Sequence, residues 1–152
     1  MNHLPRLKVR QRMNVQPPDR VICPGHCKVV RTKYQCLAAG KVSAVTNEPH
    51  VCEGRIDPHH ARTRGAGGDD TRVVPLCRRL HNRLDSPGHS QASVEKEFGL
   101  NMLASGAALW QADTYHRVKF EREWREQWPG VDLPYGTSPI GKVRDADEGV
   151  GE

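Results

Sequence analysis

The residues best able to do chemistry lie between positions 57 and 85. The stretch "DPHH", residues 57–60, sets two adjacent histidines behind an acid and a proline. Neutral imidazole still needs two hydrogen-bond partners, so a histidine pair suits proton transfer or metal binding better than a core. "ARTRGAGGDD" follows, with Arg62, Arg64, Gly65, Gly67, Gly68 and the paired acids Asp69 and Asp70. Arginine offers a planar fork for phosphate, and glycine lets a ligand approach the backbone. Further on, His81 and Asp85 stand four residues apart in "CRRLHNRLD". On a helix that spacing puts both on one face. One histidine from a strand and two side chains from a helix can therefore converge on a cation. Imidazole with carboxylate suits Mg²⁺, Mn²⁺, Ni²⁺ or Zn²⁺ and does not select among them. Neighbours on a strand face opposite ways, so one histidine of the pair can hold a metal while the other takes a proton from water.

These positions require a particular set of elements. "GRIDPHH" reads as a short strand, and Pro58 confines it to an edge or a strand end. "TRVVPL" reads as a second strand that turns at Pro75. "CRRLHNRLD" reads as a helix, because Leu76, Leu80 and Leu84 recur at spacing four, and "SPG" at 86–88 stops it. The predicted order is strand, glycine loop, strand, helix. "KVSAV" is a further β-prone piece. "SQASVEKEF" reads as a helix ended by Gly99, Asn101 can cap "MLASGAALWQA", and Asp113 or Thr114 can cap "YHRVKFEREWREQW". Trp110, Tyr115, Phe120, Trp124 and Trp128 recur at about four residues, which predicts core packing rather than a base-stacking platform. No internal repeat is visible.

Composition narrows the partners. The 152 residues amount to about one domain, and 36% hydrophobic residues allow only a modest core. A core of that size often needs a metal or disulfide staple. The formal charge is +5, with Arg55, Arg62, Arg64, Arg72, Arg78, Arg79 and Arg83 concentrated in the middle. Residues 1–34 carry Arg6, Lys8, Arg10, Arg12, Arg20, Lys28, Arg31 and Lys33 against one acid, Asp19, and read as a basic, partly disordered arm. "QPPD" and "CPG" argue against a helix there. No apolar run approaches the ~20 residues of a membrane span, and the first 20 residues lack the apolar segment of a secretory signal. Five cysteines (Cys23, Cys27, Cys36, Cys52, Cys77) form an odd set, which speaks for reduced thiols in a cytoplasm.

The sequence "DPHH…GAGGDD…VVPLCRRLH" resembles the HNH endonucleases of the ββα-metal (His-Me finger) fold, and within them the phage and prophage branch of Ref-type recombination nucleases. The resemblance covers about residues 34–100. It implies a small α+β protein with a nuclease core at 35–100; the helices at 101–128 are expected to pack on that core, and residues 129–152, rich in Gly, Pro and Asp, read as a disordered tail. It implies metal-dependent hydrolysis of DNA phosphodiesters, with DNA and a recombinase or other DNA-processing protein as partners. His59 matches the strand metal ligand and His60 the general base. Asp57 matches the acid that orients a metal-bound imidazole, and Asp70 the residue that braces the loop holding the base. His81 matches the first helix ligand. Arg62, Arg64 and Arg72 would hold flanking phosphates, and Mg²⁺ or Mn²⁺ is the expected cofactor, with Zn²⁺ or Ni²⁺ as other candidates.

Two departures stand out. The family's final histidine falls at Asp85, which suits a hard cation; His89 is the second choice, beyond "SPG". Many HNH proteins also hold a structural zinc through two Cys-x-x-Cys pairs. Here Cys36 is followed by Ala39 and Cys77 by Leu80, which predicts that the four-cysteine site is lost and the thiols are free. "CPGHC" keeps Cys23, His26 and Cys27 close, and with Cys36 or Cys52 it offers an irregular zinc set. The rival functional reading is a catalytically degenerate DNA-binding or recombination accessory protein that keeps a structural metal.

Overall fold

The computed structural model describes residues 16–61 and 69–135; the basic residues before position 16, Arg62 and Arg64 with their glycine loop, and the acidic end beyond 135 lie outside them. The described chain is a mixed α/β structure. Five helices surround a two-stranded antiparallel sheet: α1 (Pro24–Lys33), β1 (Ile56–His60), β2 (Val73–Cys77), α2 (Arg78–Leu84), α3 (Gln91–Phe98), α4 (Met102–Ala112) and α5 (Thr114–Gln127). A 3₁₀ turn, Asp70–Arg72, leads into β2.

The sheet is the frame of the site. Ile56 pairs with Cys77 and His60 with Val73, so the histidine pair lies opposite Val73 and Val74. Pro58 faces Pro75 across the ladder. Both prolines sit in mid-strand, which a two-stranded sheet tolerates because each strand is an edge. The outer edge of β2 is covered where Leu37 N–H donates to Pro75 O at 2.8 Å. All five residues of β2 are buried. Val74, Leu76, Leu80, Val94, Phe98 and Met102 form one core, which Cys36, Ala38 and Cys77 join. Burying each such aliphatic side chain contributes about 1.5–3 kcal/mol.

Local chemistry ends the helices. Ser90 and Ser93 form a reciprocal capping box at the start of α3, and Gly99 closes it in the left-handed region at φ 66°. Asn101 caps α4 and Asp113 caps α5. Gly106 lets α4 press against the 3₁₀ turn: a Cβ there would lie 2.6 Å from the carbonyl carbon of Arg72. Trp110 anchors a second core with Val21 and Tyr135, flanked by Phe120 and Leu133.

Four sequence expectations need correction. "CPGHC" does not break a helix; it starts one, because Pro24 occupies the first turn, where its missing N–H costs nothing. His26 and Val30 of α1 are buried, so the supposed arm is part of the domain from there on. "KVSAV" forms no strand. It supplies only an isolated bridge, Val42 to Pro49, because Ser43 Oγ accepts from the Val45 and Thr46 amides and turns the chain. The chain past Pro129 stays packed as far as Tyr135, which is 3% exposed. Among the described residues no helix is long and apolar enough to cross a membrane.

Candidate functional site

The two histidines of β1 meet different partners. His59 approaches α2 and α3: its ring lies 5.4 Å from that of His81, edge to face, and its Nε2 is 3.3 Å from Gln91 Oε1. His60 instead reaches the 3₁₀ turn, with Nε2 2.7 Å from Asp70 Oδ1. The alternation of a strand separates the pair.

Asp70 is well held. Its Oδ2 accepts from the Cys23 N–H at 2.6 Å, which ties the start of α1 to this turn. Burial pushes its carboxyl up, but bonds from His60, the Cys23 amide and Cys27 outweigh that and leave it below its ordinary value. An ionised carboxylate only accepts, so the His60 Nε2 carries a proton, and in the neutral tautomer that leaves a lone pair on Nδ1. The His60 side chain is 41% exposed.

On the other side of β1, Asp57 is 7% exposed and surrounded by cations. Its Oδ1 accepts from Arg55 Nε at 3.2 Å and from Arg78 Nη2 at 3.1 Å. Its Oδ2 lies 2.9 Å from Arg78 Nε and 3.4 Å from His81 Nδ1, without the alignment of a hydrogen bond to either. Asp57 Oδ2 and His81 Nδ1 are therefore buried polar atoms short of a partner, beside the His59 ring. The structure brings His59, His81 and Asp57 into one neighbourhood. Asp85 stands at the C-cap of α2 and is exposed. His89 accepts from Arg83 Nε at 3.3 Å, away from this group. Arg72 is half-buried on the 3₁₀ turn. Arg55 and Arg78, not singled out from sequence, flank the site; their side chains are 76% and 37% exposed.

The cysteines correct the sequence reading most clearly. Cys36, His50, Cys52 and Cys77 place one donor atom each within 4.8 Å of one another, a cluster that could hold a metal ion. His50 Nε2 lies 3.3 Å from Cys77 Sγ and 3.9 Å from Cys36 Sγ. Cys36 and Cys77 are buried; Cys52 is exposed as a residue, but its sulfur belongs to the cluster. The two positions left empty at Ala39 and Leu80 are made up from elsewhere, by His50 and Cys52, so a donor set that could hold a metal ion is present. Residues 41–50 form a tight loop, closed by Ser43 N–H to Glu48 O and His50 N–H to Lys41 O, both 2.8 Å. That loop returns His50 and Cys52 to Cys36. Burial first, then Arg79 and Arg83, keep the His50 imidazole below its ordinary value, which favours the neutral, ligating form. "HVC" at 50–52 was the available sequence signal.

The irregular set read from "CPGHC" does not gather. His26 is fully buried and turned away, its Nδ1–H donating to Asp113 Oδ2 at 2.8 Å. Cys27 points instead towards His60 and Asp70, and these three form the other convergent set among the described residues. Burial first and the Asp70 charge second push the Cys27 thiol up to about 12.

Comparison with protein-family models, with curated proteins and with solved structures finds no match for this chain.

Proposed function

We propose that this chain is a metal-dependent endonuclease of the HNH type, its ββα-metal core formed by β1, β2 and α2, hydrolysing DNA phosphodiester bonds. The supporting observation is the division of the histidine pair: His60 clamped by Asp70, and His59 beside His81 with orphaned polar atoms next to them. His81 turns Nδ1 towards Asp57 Oδ2, 3.4 Å away, which would leave its other ring nitrogen for a cation. His59 and His81 would hold the ion, Asp85 would be the third ligand from the end of α2, and Asp57 would orient the His81 ring. A bound Mg²⁺ or Mn²⁺ supplies positive charge where negative charge builds up on the phosphate.

The chain's own residues do the rest. His60 Nδ1 takes a proton from the attacking water, and Asp70 fixes the tautomer and steadies the imidazolium that forms. Arg55 and Arg78, aligned by Asp57, hold flanking phosphates, with Arg62, Arg64 and Arg72 as further positioning contacts. The Cys36, His50, Cys52 and Cys77 set, rich in thiols and closed, suits a structural Zn²⁺. A phage or prophage recombination setting, with a recombinase as partner, remains part of this reading. The exposed Asp85 favours one rival, an accessory protein that binds DNA without cutting it.

Cleavage of supercoiled and single-stranded DNA in Mg²⁺, Mn²⁺, Zn²⁺ or EDTA tests the proposal. His60→Ala should lose about 10²–10⁴ in rate while keeping its metal affinity. His59→Ala should lose metal affinity and metal-dependent thermal stability together with activity. A fully active His60→Ala protein overturns the assignment. DNA binding without cleavage in any metal supports the accessory reading.

A further inference from the structure

We propose that Cys27, His60 and Asp70 form a separate, inhibitory site for a thiophilic divalent cation such as Zn²⁺. The three residues come from α1, β1 and the 3₁₀ turn, yet their donor atoms lie within 4.8 Å of one another. None is shared with the Cys36, His50, Cys52 and Cys77 cluster. A thiol, an imidazole and a carboxylate together favour Zn²⁺ or Co²⁺ over Mg²⁺, which takes oxygen ligands. The carboxylate is already fixed by the Cys23 amide, so one ligand is in place before a cation arrives.

The inhibitory half rests on His60 as the general base; the binding half does not. In the neutral imidazole Nε2–H donates to Asp70 Oδ1, so Nδ1 keeps a lone pair. A cation on Nε2 needs the lone pair of that nitrogen. The ring proton then moves to Nδ1, the Cys27 thiol releases its proton to solvent, and the nitrogen that would accept a proton from water is occupied. The same cation draws the Asp70 carboxylate away from the imidazole. The device would make Mg²⁺-dependent hydrolysis sensitive to free zinc through a residue that takes no part in the chemistry.

The test counts zinc and activity together. Full-length wild type, Cys27→Ser and Cys27→Ala are equilibrated against buffers of rising free Zn²⁺, bound zinc is measured by atomic absorption, and DNA cleavage in Mg²⁺ or Mn²⁺ is followed at each point. Wild type should take up one equivalent more than either variant. Its cleavage should fall by the ~10²-fold or more that losing the base costs as that equivalent binds. Cys27→Ser, which keeps a donor for Asp70, should cleave like wild type without added zinc, and cleavage by both variants should resist its addition. Equal zinc uptake in all three proteins overturns the site. An extra equivalent that leaves wild-type cleavage unchanged overturns the inhibitory role. If wild type cleaves DNA under no condition, the nuclease reading fails, while the difference in zinc count still decides whether the site exists.

Discussion

At the scale of single residues, Asp70 carries the most consequence. It touches His60, the Cys23 amide and Cys27, so it joins the end of β1 to the start of α1. Its carboxyl sits below its ordinary value, which means that the folded state favours the ionised form. The stabilisation is present above the unfolded-state value, about 3.9, and is lost as pH falls through the lower folded-state value. Asp70→Asn removes that linkage and the carboxylate that steadies the imidazolium. At pH 7 the variant should be less stable than wild type, and in urea unfolding the gap should begin to close below about pH 5 and go on closing as pH falls through the lowered folded-state value. Cleavage should fall by about 10²-fold. A stability gap that does not change with pH would show that the ionised carboxylate is not its source.

At the scale of elements, the weakest-looking segment is the stretch from Cys36 to Arg55. It contains one isolated bridge and a run of turns, yet it carries three of the four members of the sulfur-rich cluster. Few backbone ladders hold it, so a cation there would be its main staple. Stripping metal with a strong chelator should lower the melting temperature by several degrees and speed amide exchange in residues 37–55, with α4 and α5 far less affected. Cys77→Ser should do the same without chelator. Uniform exchange before and after chelation would rule out a staple here. This segment was also the least legible in sequence. The strand-strand-helix order could be read because Leu76, Leu80 and Leu84 repeat at helical spacing and the histidines precede them. The cluster could not, because its members at 36, 50, 52 and 77 have no paired spacing and meet only through the loop that Ser43 closes. Helix α1 is hard to read for a different reason: a proline between cysteines reads as a breaker, whereas at a first turn it is an initiator.

At the scale of the whole molecule, charge is the remaining lever. The formal charge of +5 is unevenly placed, and residues 1–15 contain Arg6, Lys8, Arg10 and Arg12 with no acid. The sequence alone set the boundary of the basic arm at 34. The packing moves it, since Val21, His26 and Val30 are buried and the Cys23 amide holds Asp70. Removing residues 1–33 would therefore take away α1 and disturb Asp70 and His60 as well as the arm. Removing residues 1–15 spares every one of those contacts. If the four cations contact phosphates, each releases about 0.9 counterion on duplex DNA, so the truncated protein should lose up to about 3–4 from the slope of log affinity against log salt. Its cleavage rate at saturating protein should stay within a factor of about two of the full chain, because phosphate contacts outside the reacting centre position the duplex without taking part in proton transfer. Filter binding across a range of salt concentrations, paired with single-turnover cleavage, separates the two effects. An unchanged salt slope would mean that the arginines of the core, Arg55 and Arg78 among them, supply the electrostatic contact without help from the arm. A collapse in single-turnover rate at saturation would place part of the catalytic machinery in the first fifteen residues.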